Sequence, residues 1–335
     1  MNVAKTLLCN LVVLLTVTAC SSGTEPKPEY SEDQVGSIQS APAQQKSTVS
    51  NGEKEEIIKK LQDELSKLNE AADAVTLTES YIKNTGEKQA DHMFMTLEDF
   101  YDKNITIAQE RFSRTEVQEA LLKISYPITA EKVATIPNKE IRHMVEQQLN
   151  GKYKLESAEG MIFPVVDYEG LKMFQPYLTV SMKDYINLQA IQSNEPVAKD
   201  AGLVISREEL MKRTEQVEKY LLKYQQMARY DRVKQMYLNH LQMLLLGLNN
   251  TPTFDYDTYK LNPDVKKEFQ QLINKHPDTV TSRVVDQFLQ ILSKTKDHVY
   301  TKKDGQQTDI LAVRSFLDGL DDTVEKLIRQ MTTEG

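Results

Sequence analysis

The sequence predicts an all-α protein, a multi-helix bundle of about eight to ten helices behind a disordered N-terminal tether. Apolar residues recur at intervals of three and four along most of the chain after residue 52, which is the pattern of amphipathic helices. The strict alternation that predicts strands is nearly absent. Only 12 Gly and 11 Pro occur among the 335 residues, too few for a turn-dense all-β fold.

The first predicted helix begins at Glu53. Its apolar residues are alternately three and four positions apart, so they form a heptad seam along one face of the helix. The members of this seam are Ile58, Leu61, Leu65, Leu68, Ala72 and Val75. The seam makes this helix a candidate for docking on a partner helix, and it would serve equally well as part of the core.

Two further helices are predicted before Pro127. The spacing of apolar residues places one of them from about Asp91 to Arg111. Thr115 with Gln118 has the spacing of a capping box, which predicts the start of the next helix. Pro127 ends that helix because proline cannot continue the helical hydrogen-bond pattern.

The middle of the chain alternates between strongly and weakly helical stretches. A helix is predicted over 138–150, with Gly151 as its C-terminal stop. Residues 151–166 are less helical and mark a possible division into two subdomains. Asp167 is predicted to cap a longer helix that is kinked at Pro176.

The remainder of the chain is predicted to be helical apart from one long loop. Ser206 with Glu209 forms a second capping-box pattern ahead of a long helical stretch. Residues 249–261 form the loop, and Asn262 followed by Pro263 is a typical start for the next helix. The remaining features are, in order, a break at His276–Pro277, a turn at Asp304–Gly305 and one or two closing helices over 309–331.

Charge and motifs exclude several classes of function. The formal net charge is −8, whereas nucleic-acid binding needs a basic surface, so we expect no nucleic-acid partner. The sequence contains no zinc-protease, nucleophile-elbow, phosphate-loop or EF-hand motif. Glu140 and His143 have the spacing of a di-iron ligand pair, but such sites need two copies of that pair. We therefore expect no catalytic residues, no cofactor and no metal site.

The N-terminus has the form of an export signal. Lys5 precedes an apolar run that ends at Val17 and is too short for a comfortable membrane span. The run is followed by Thr18-Ala19-Cys20 and then by the small polar residues of Ser21-Ser22-Gly23. This order of an apolar residue, two small residues and a cysteine resembles the lipobox of bacterial lipoproteins. An ordinary secretory signal with an incidental cysteine is the alternative.

The resemblance implies a lipid anchor on Cys20. A signal peptidase would cut before this residue, and its thiol would carry a diacylglyceryl group with acyl chains such as palmitate. The chain then divides into a signal peptide over 1–19, the lipidated cysteine and a disordered linker over 20–52, and a helical domain over 53–335. The protein would be extracytoplasmic and anchored to the cell membrane, or to the outer membrane in a cell with two membranes.

The cysteine count limits the chemistry of the mature protein. Cys9 and Cys20 are the only cysteines, and cleavage would remove Cys9 while the lipid would occupy Cys20. The mature chain would then have neither a disulfide nor a free thiol. Cysteine nucleophiles, thiolate metal sites and redox motifs are therefore excluded.

Two segments are candidate recognition surfaces. Residues 159–168 are apolar in a non-helical context, and the loop over 249–259 alternates aromatic and acidic residues. Tyrosines of this loop could stack on a ligand or partner, while its aspartates could bind hydroxyls or a cation. The candidate residues are Phe254, Asp255, Tyr256, Asp257 and Tyr259. In the alternative interpretation, both segments cross the ends of the bundle and bury their aromatic side chains.

These observations predict a membrane-anchored, non-enzymatic lipoprotein that binds or organises a protein partner in the bacterial cell envelope. A ligand-binding lipoprotein is one alternative, although the alternating α/β pattern of two-lobed solute-binding proteins is missing. An accessory factor of an envelope hydrolase is the other, although no catalytic motif is visible in the sequence.

Overall fold

The computed structural model describes residues 51–303 and 306–333. This part of the protein is mostly helical, with 65% helix in 14 α-helices. The helices are α1 Asn51–Leu65, α2 Ala71–Ile82, α3 Glu87–Phe112, α4 Thr115–Leu121, α5 Ala130–Val133, α6 Lys139–Asn150, α7 Tyr168–Leu171, α8 Val180–Asn194, α9 Arg207–Lys223, α10 Tyr230–Leu246, α11 Pro263–Lys275, α12 Val280–Lys294, α13 Leu311–Asp318 and α14 Leu320–Thr333. A 3-10 helix over Lys172–Tyr177 lies between α7 and α8.

Four antiparallel strand pairs interrupt the helices in the described residues. They are β1 Tyr153–Ala158 with β2 Met161–Val166, β3 Ala198–Lys199 with β4 Gly202–Leu203, β5 Gly247–Leu248 with β6 Thr251–Pro252, and β7 Tyr300–Lys303 with β8 Gln306–Asp309. Two physical reasons explain why the first three of these pairs were not predicted. Strands of two residues are too short to show alternation, and β2 is an uninterrupted apolar run whose period cannot be determined.

The helix count exceeds the predicted eight to ten because segments predicted as single helices are divided. The prediction of a single seam helix from Glu53 is wrong, because the structure divides this segment into α1 and α2. The Ser66 hydroxyl donates to the Asp63 carbonyl oxygen at 2.8 Å, and such local bonds compete with helix propagation. Glu70 then binds Arg111 of α3 at 2.7 Å, which fixes the start of α2.

The predicted capping box at Thr115 is also wrong. Thr115 is the first helical residue of α4, and the N-cap is Arg114, which makes no side-chain capping bond. Gln118, the other half of the motif, uses its amide elsewhere. It donates to the Ile162 carbonyl oxygen at 2.6 Å and accepts from the Ile162 amide at 2.9 Å. A tertiary contact with β2 therefore replaces the local cap.

Other helix starts depend on local chemistry and were predicted correctly. The side chains of Asn138, Ser206 and Asn262 accept backbone hydrogen bonds at the N-termini of α6, α9 and α11. Asp167 makes no such bond, and the long helix predicted after it is divided into α7, the 3-10 helix and α8. Pro176 lies in the 3-10 helix, where its missing N–H interrupts the helical hydrogen bonds.

Buried hydrophobic side chains form two clusters among the described residues. The larger extends from α1 to α14 and includes the seam residues Leu61 and Leu65, which therefore serve the core. The smaller lies among the end of α3, α4, α5, α6 and the β1–β2 hairpin. Its members are Phe112, Val117, Leu121, Ile128, Val133, Ile136, Ile141, Val145, Leu155 and Ile162. The possible subdomain division near 151–166 stays a prediction.

A buried carboxylate joins four elements of the larger cluster. Glu98 of α3 is 1% exposed and accepts hydrogen bonds from the Tyr168 hydroxyl at 2.7 Å and the Tyr185 hydroxyl at 2.6 Å. Arg229, the N-cap residue of α10, donates its Nε to the other carboxylate oxygen at 2.7 Å. Burial raises the pKa of both tyrosines well above the usual value, so they remain hydrogen-bond donors. The network links α3, α7, α8 and α10.

A second buried carboxylate fixes the start of α12. Glu218 of α9 accepts the backbone amides of Val280 and Thr281, each at 2.8 Å, and the Thr281 hydroxyl at 2.6 Å. The Tyr237 hydroxyl of α10 donates to the same carboxylate at 3.1 Å. A negative charge at a helix N-terminus is stabilised by the unpaired amides and by the helix dipole. Glu218 therefore holds α9, α10 and α12 together.

The signal peptide, the lipidation site Cys20 and nearly all of the predicted linker lie within residues 1–50, outside the described residues. The predicted turn at Asp304–Gly305 also lies outside them. None of the helices in 51–303 and 306–333 combines the length and the apolar character that a membrane crossing requires.

Glu98→Ala should lower the free energy of unfolding by about 3–5 kcal/mol, because it leaves the charge of Arg229, 14% exposed, without its partner in the core. Glu98→Gln should lower the free energy of unfolding by a smaller amount, because the amide oxygen still accepts hydrogen bonds from the two tyrosines. The matched control is Glu79→Ala, which removes a largely exposed ion pair with Lys83 and should cost less than about 1 kcal/mol. Urea unfolding followed by circular dichroism measures all three, and equal losses for Glu98→Ala and Glu79→Ala would contradict the assignment.

Candidate functional site

The loop that the sequence analysis singled out follows α10 directly. Gly247 closes α10 with a positive φ of 72°, and a Cβ at this position would collide with the Thr251 carbonyl oxygen. Thr253 then donates its hydroxyl to the Leu245 carbonyl oxygen at 2.8 Å, while its own carbonyl oxygen accepts from the Asn262 amide at 2.9 Å. The loop is therefore fastened to the end of α10 on one side and to the start of α11 on the other.

The structure brings three of the predicted loop residues together around Tyr300 of β7. The Phe254 ring lies 5.3 Å from that of Tyr256 and 5.1 Å from that of Tyr300, both edge to face. Tyr259 contacts Tyr300 at 6.4 Å, again edge to face. Phe254 is buried, whereas Tyr256 is 50% exposed. We call these four side chains the aromatic cluster.

The two aspartates of the loop have different surroundings. The Asp255 carboxylate accepts hydrogen bonds from the Asp257 amide at 3.1 Å and from the Thr258 amide and hydroxyl, each at 2.8 Å. The bonds from Thr258 and Asp257 lower the pKa of Asp255. Asp255 therefore shapes the turn, while Asp257 is exposed at its surface.

Three residues with a positive φ lie in or next to the aromatic cluster. Tyr259, Lys296 and Asp297 have φ values of 56°, 55° and 66°, a region that residues other than glycine seldom adopt. The Asp297 carbonyl oxygen accepts from the Leu261 amide at 2.8 Å, and its carboxylate binds the Lys266 ammonium at 2.7 Å. Such strain persists only where neighbouring contacts enforce it.

A partly enclosed cleft of about 270 Å³ lies beside Tyr300, between the end of α10, the β7–β8 hairpin and α13. Its lining residues are Gln242, Leu246, Val299, Tyr300, Asp309, Ile310, Val313, Arg314, Leu317 and Asp318. Val299 and Val313 are buried beneath the lining, and Leu246 and Leu317 are its partly exposed apolar side chains. The polar residues of the lining include two carboxylates and one guanidinium. We call this feature the Tyr300 cleft.

Arg314 lies between the two carboxylates of the cleft. Its Nε is 2.9 Å from Asp318, and its Nη1 is 3.6 Å from Asp309, which is too long for a hydrogen bond. The hydrogen bond that Arg314 donates to Asp318, together with the charges of Asp318 and Asp309, raises the pKa of Arg314. Burial, followed by the charge of Asp309, raises the pKa of Tyr300. At neutral pH the hydroxyl of Tyr300 is therefore protonated.

The sequence analysis found the loop but missed the cleft beside it. Tyr300, Asp309 and Arg314 come together because β7 and β8 pair with Tyr300 opposite Asp309. The available signal was the Asp304–Gly305 dipeptide, which is typical of a hairpin turn when strand-like residues flank it. The other predicted segment, 159–168, contains β2, where Ile162 and Pro164 are buried and Met161 is exposed.

A second concavity lies on α3 and α6. It is an open groove of about 460 Å³ lined by Ile107, Glu110, Arg111, Arg114 and Met144. Arg111 is already paired with Glu70 there at 2.7 Å. The groove is shallower and more open than the Tyr300 cleft, so we regard the cleft as the stronger candidate.

The histidines with suggestive spacing lie apart from the cleft lining. Glu140 and His143 are exposed on α6. His240 of α10 is 2% exposed; its Nε2 lies 3.0 Å from the Gln192 amide, and its Nδ1 has no partner among the described residues. Burial, together with the charge of Arg213, lowers the pKa of His240 to about 4. Within the described residues, no three His, Cys, Asp or Glu side chains are grouped so as to hold a metal ion.

A scan against protein-family models finds no match to this chain, and neither do searches of curated proteins and of solved structures.

Phe254→Ala should lower the free energy of unfolding by about 3 kcal/mol, because it leaves a cavity under Tyr300. Tyr256→Ala should cost less than about 1 kcal/mol, because its ring is half-exposed and its main anchor is the hydrogen bond to the Asn249 carbonyl oxygen. Thermal or urea unfolding of the two variants measures the difference. Equal losses of unfolding free energy would contradict the conclusion that Phe254 is the buried side of the aromatic cluster and Tyr256 its exposed side.

His240 should make the protein less stable as the pH falls from about 6.5 to about 4. The unfolded chain binds a proton at His240 near pH 6.5, whereas the folded chain resists protonation down to about 4, so stability is lost on acidification. The loss assigned to this residue is about 3 kcal/mol. We expect His240→Leu to flatten the pH dependence of urea unfolding between pH 7 and 4.5. The control His143→Gln alters an exposed histidine, and its pH profile should match that of the unaltered protein.

Proposed function

We propose that this chain is a lipid-anchored, extracytoplasmic and non-enzymatic lipoprotein that binds or organises a protein partner in the bacterial cell envelope. The lipobox-like sequence ending at Cys20 supports the anchor and the location. The Tyr300 cleft, with exposed apolar side chains beside it, is the observation that supports a protein partner.

Leu311 provides the main argument for a partner at this site. It follows Ile310 of the cleft lining and is 80% exposed, the most exposed large apolar side chain of the described residues. Tyr256, at the rim of the aromatic cluster, is also half-exposed. We take Leu311 as the residue that a partner would cover, because it directly follows a lining residue of the cleft in the chain.

The partly open form of the cleft favours a protein partner over a small-molecule ligand. Pockets for small molecules usually enclose about 300–1,000 Å³ and surround most of the ligand. The Tyr300 cleft, at about 270 Å³ and partly open, is better suited to a side chain that projects from a larger surface. The alternative of a ligand-binding lipoprotein is therefore the weaker one.

The buried carboxylates support a structural role for the helical body. Glu98 and Glu218 are the fully buried acids of the main cluster, and such groups are the usual candidates for acid–base chemistry. Each is surrounded by donors from the protein itself, as described above. Their acceptor atoms are committed to joining helices, so neither glutamate is free for acid–base chemistry.

A photo-crosslinking amino acid at position 311 should capture one dominant envelope protein in intact cells. The matched control carries the same amino acid at Val180, an exposed residue of α8 that does not line the cleft, and should not capture that protein. Mass spectrometry of the recovered adducts identifies the partner. A Cys20→Ala form should lose the adduct, because the protein is then no longer held at the membrane.

The proposal fails if position 311 yields no protein adduct while the protein is present at the membrane. It also fails as a site assignment if positions 311 and 180 capture the same proteins with equal yield.

A further inference from the structure

The geometry points to a specific occupant of the Tyr300 cleft: a lysine or arginine side chain of the partner protein. Its alkyl stem would lie along Leu246 and Leu317, and its cationic end would lie beside the Asp309 carboxylate, which accepts no hydrogen bond from Arg314. This inference rests on the proposed function, since it names the chemistry by which the partner would be recognised.

The two partly exposed leucines of the cleft suit an alkyl stem. Leu246 and Leu317 offer accessible apolar surface, whereas Val299 and Val313 are buried beneath the lining. Lysine and arginine commonly lay their methylene groups along apolar surface while the charged end stays at a polar rim. A volume of about 270 Å³ is adequate for one long side chain.

The charge at the rim favours a cation. Two carboxylates, Asp309 and Asp318, face a single guanidinium from Arg314, which leaves one negative charge in excess. Among the described residues, no side-chain donor lies within hydrogen-bonding distance of the Asp309 carboxylate. The formal charge of −8 on the whole chain adds to the attraction of a basic partner.

Tyr300 strengthens the same preference. Its ring lines the cleft next to Asp309, and an aromatic ring beside carboxylates attracts cations through its negative face. The aromatic cluster holds this ring in place from the other side. Lys302 and Lys303 lie farther out on β7 and do not line the cleft, so they do not reverse its charge.

The test uses Nα-acetyl-lysine N-methylamide as the cationic probe and the norleucine analogue as a neutral probe of similar shape. Valine and leucine side chains line the cleft. Binding of a probe to full-length, methyl-labelled protein in detergent therefore changes their NMR signals directly. We expect the lysine probe to shift the methyl signals of Val299, Val313 and Leu317, and to bind about fivefold more tightly than the norleucine probe. Added salt should reduce this difference.

Variants of the charged residues test whether the charges at the rim, rather than the shape of the cleft, determine how tightly the lysine probe binds. Asp309→Asn combined with Asp318→Asn should weaken binding of the lysine probe about fivefold and leave the norleucine probe unchanged. Arg314→Gln should strengthen binding of the lysine probe, because it removes the competing cation. Equal binding of both probes, or tighter binding of the glutamate analogue, overturns the inference.

The result is distinguishable from a failure of the proposed function. If position 311 captures a partner in cells but the lysine probe does not bind, the proposed function stands and the assignment of a basic side chain is wrong. If the probe binds but no partner is captured, the cleft binds cations and the proposed protein partner is wrong.

Discussion

The burial of Glu98 constrains more of this structure than any other single contact. A carboxylate that is 1% exposed is stable only if its charge is paired and its oxygens accept hydrogen bonds, and here those bonds come from α7, α8 and Arg229 at the start of α10. These elements are distant from Glu98 in sequence, so the network selects one packing arrangement of them. Because Arg229 fixes the N-terminal end of α10, it also fixes where the C-terminal end of that helix lies. That end carries Gln242 and Leu246 into the cleft.

The second buried carboxylate has a corresponding effect on α12. Glu218 binds the first amides of this helix, and the chain leaving its other end leads to Val299 and Tyr300. Two buried glutamates thus fix the two helices whose C-terminal ends approach the cleft. Neither glutamate lines the cleft, yet the helices that they hold in place lead to its lining residues. Rigid support of this kind lowers the entropic cost of binding.

Sequence reasoning was successful for the three helix starts whose capping side chains bind neighbours in the chain. Asn138, Ser206 and Asn262 cap helices through amides two or three residues away, so their role is visible in the local sequence. It was unsuccessful where a distant group competes for the same side chain. Gln118 binds the backbone of Ile162 instead of completing a capping box, and no local pattern reveals that choice. The candidate loop was visible because aromatic and acidic residues alternate within it. The cleft was not, because Tyr300, Asp309 and Arg314 meet only through the β7–β8 pairing and the packing of α13.

The two interpretations of the aromatic loop are compatible once its residues are considered separately. Phe254 is buried and Asp255 is committed to its own turn, so these two serve the structure. Together with Tyr259 they hold Tyr300 against the end of the bundle, at the price of three residues with positive φ. Lys296 and Asp297 follow the end of α12, where a left-handed residue commonly closes a helix, and the Asp297 amide donates to the Leu292 carbonyl oxygen at 2.8 Å. Their geometry sets where β7 begins and therefore where the Tyr300 ring lies. The loop is then the support of the recognition surface, and the surface itself is the cleft with Tyr300 and Leu311 at its edge.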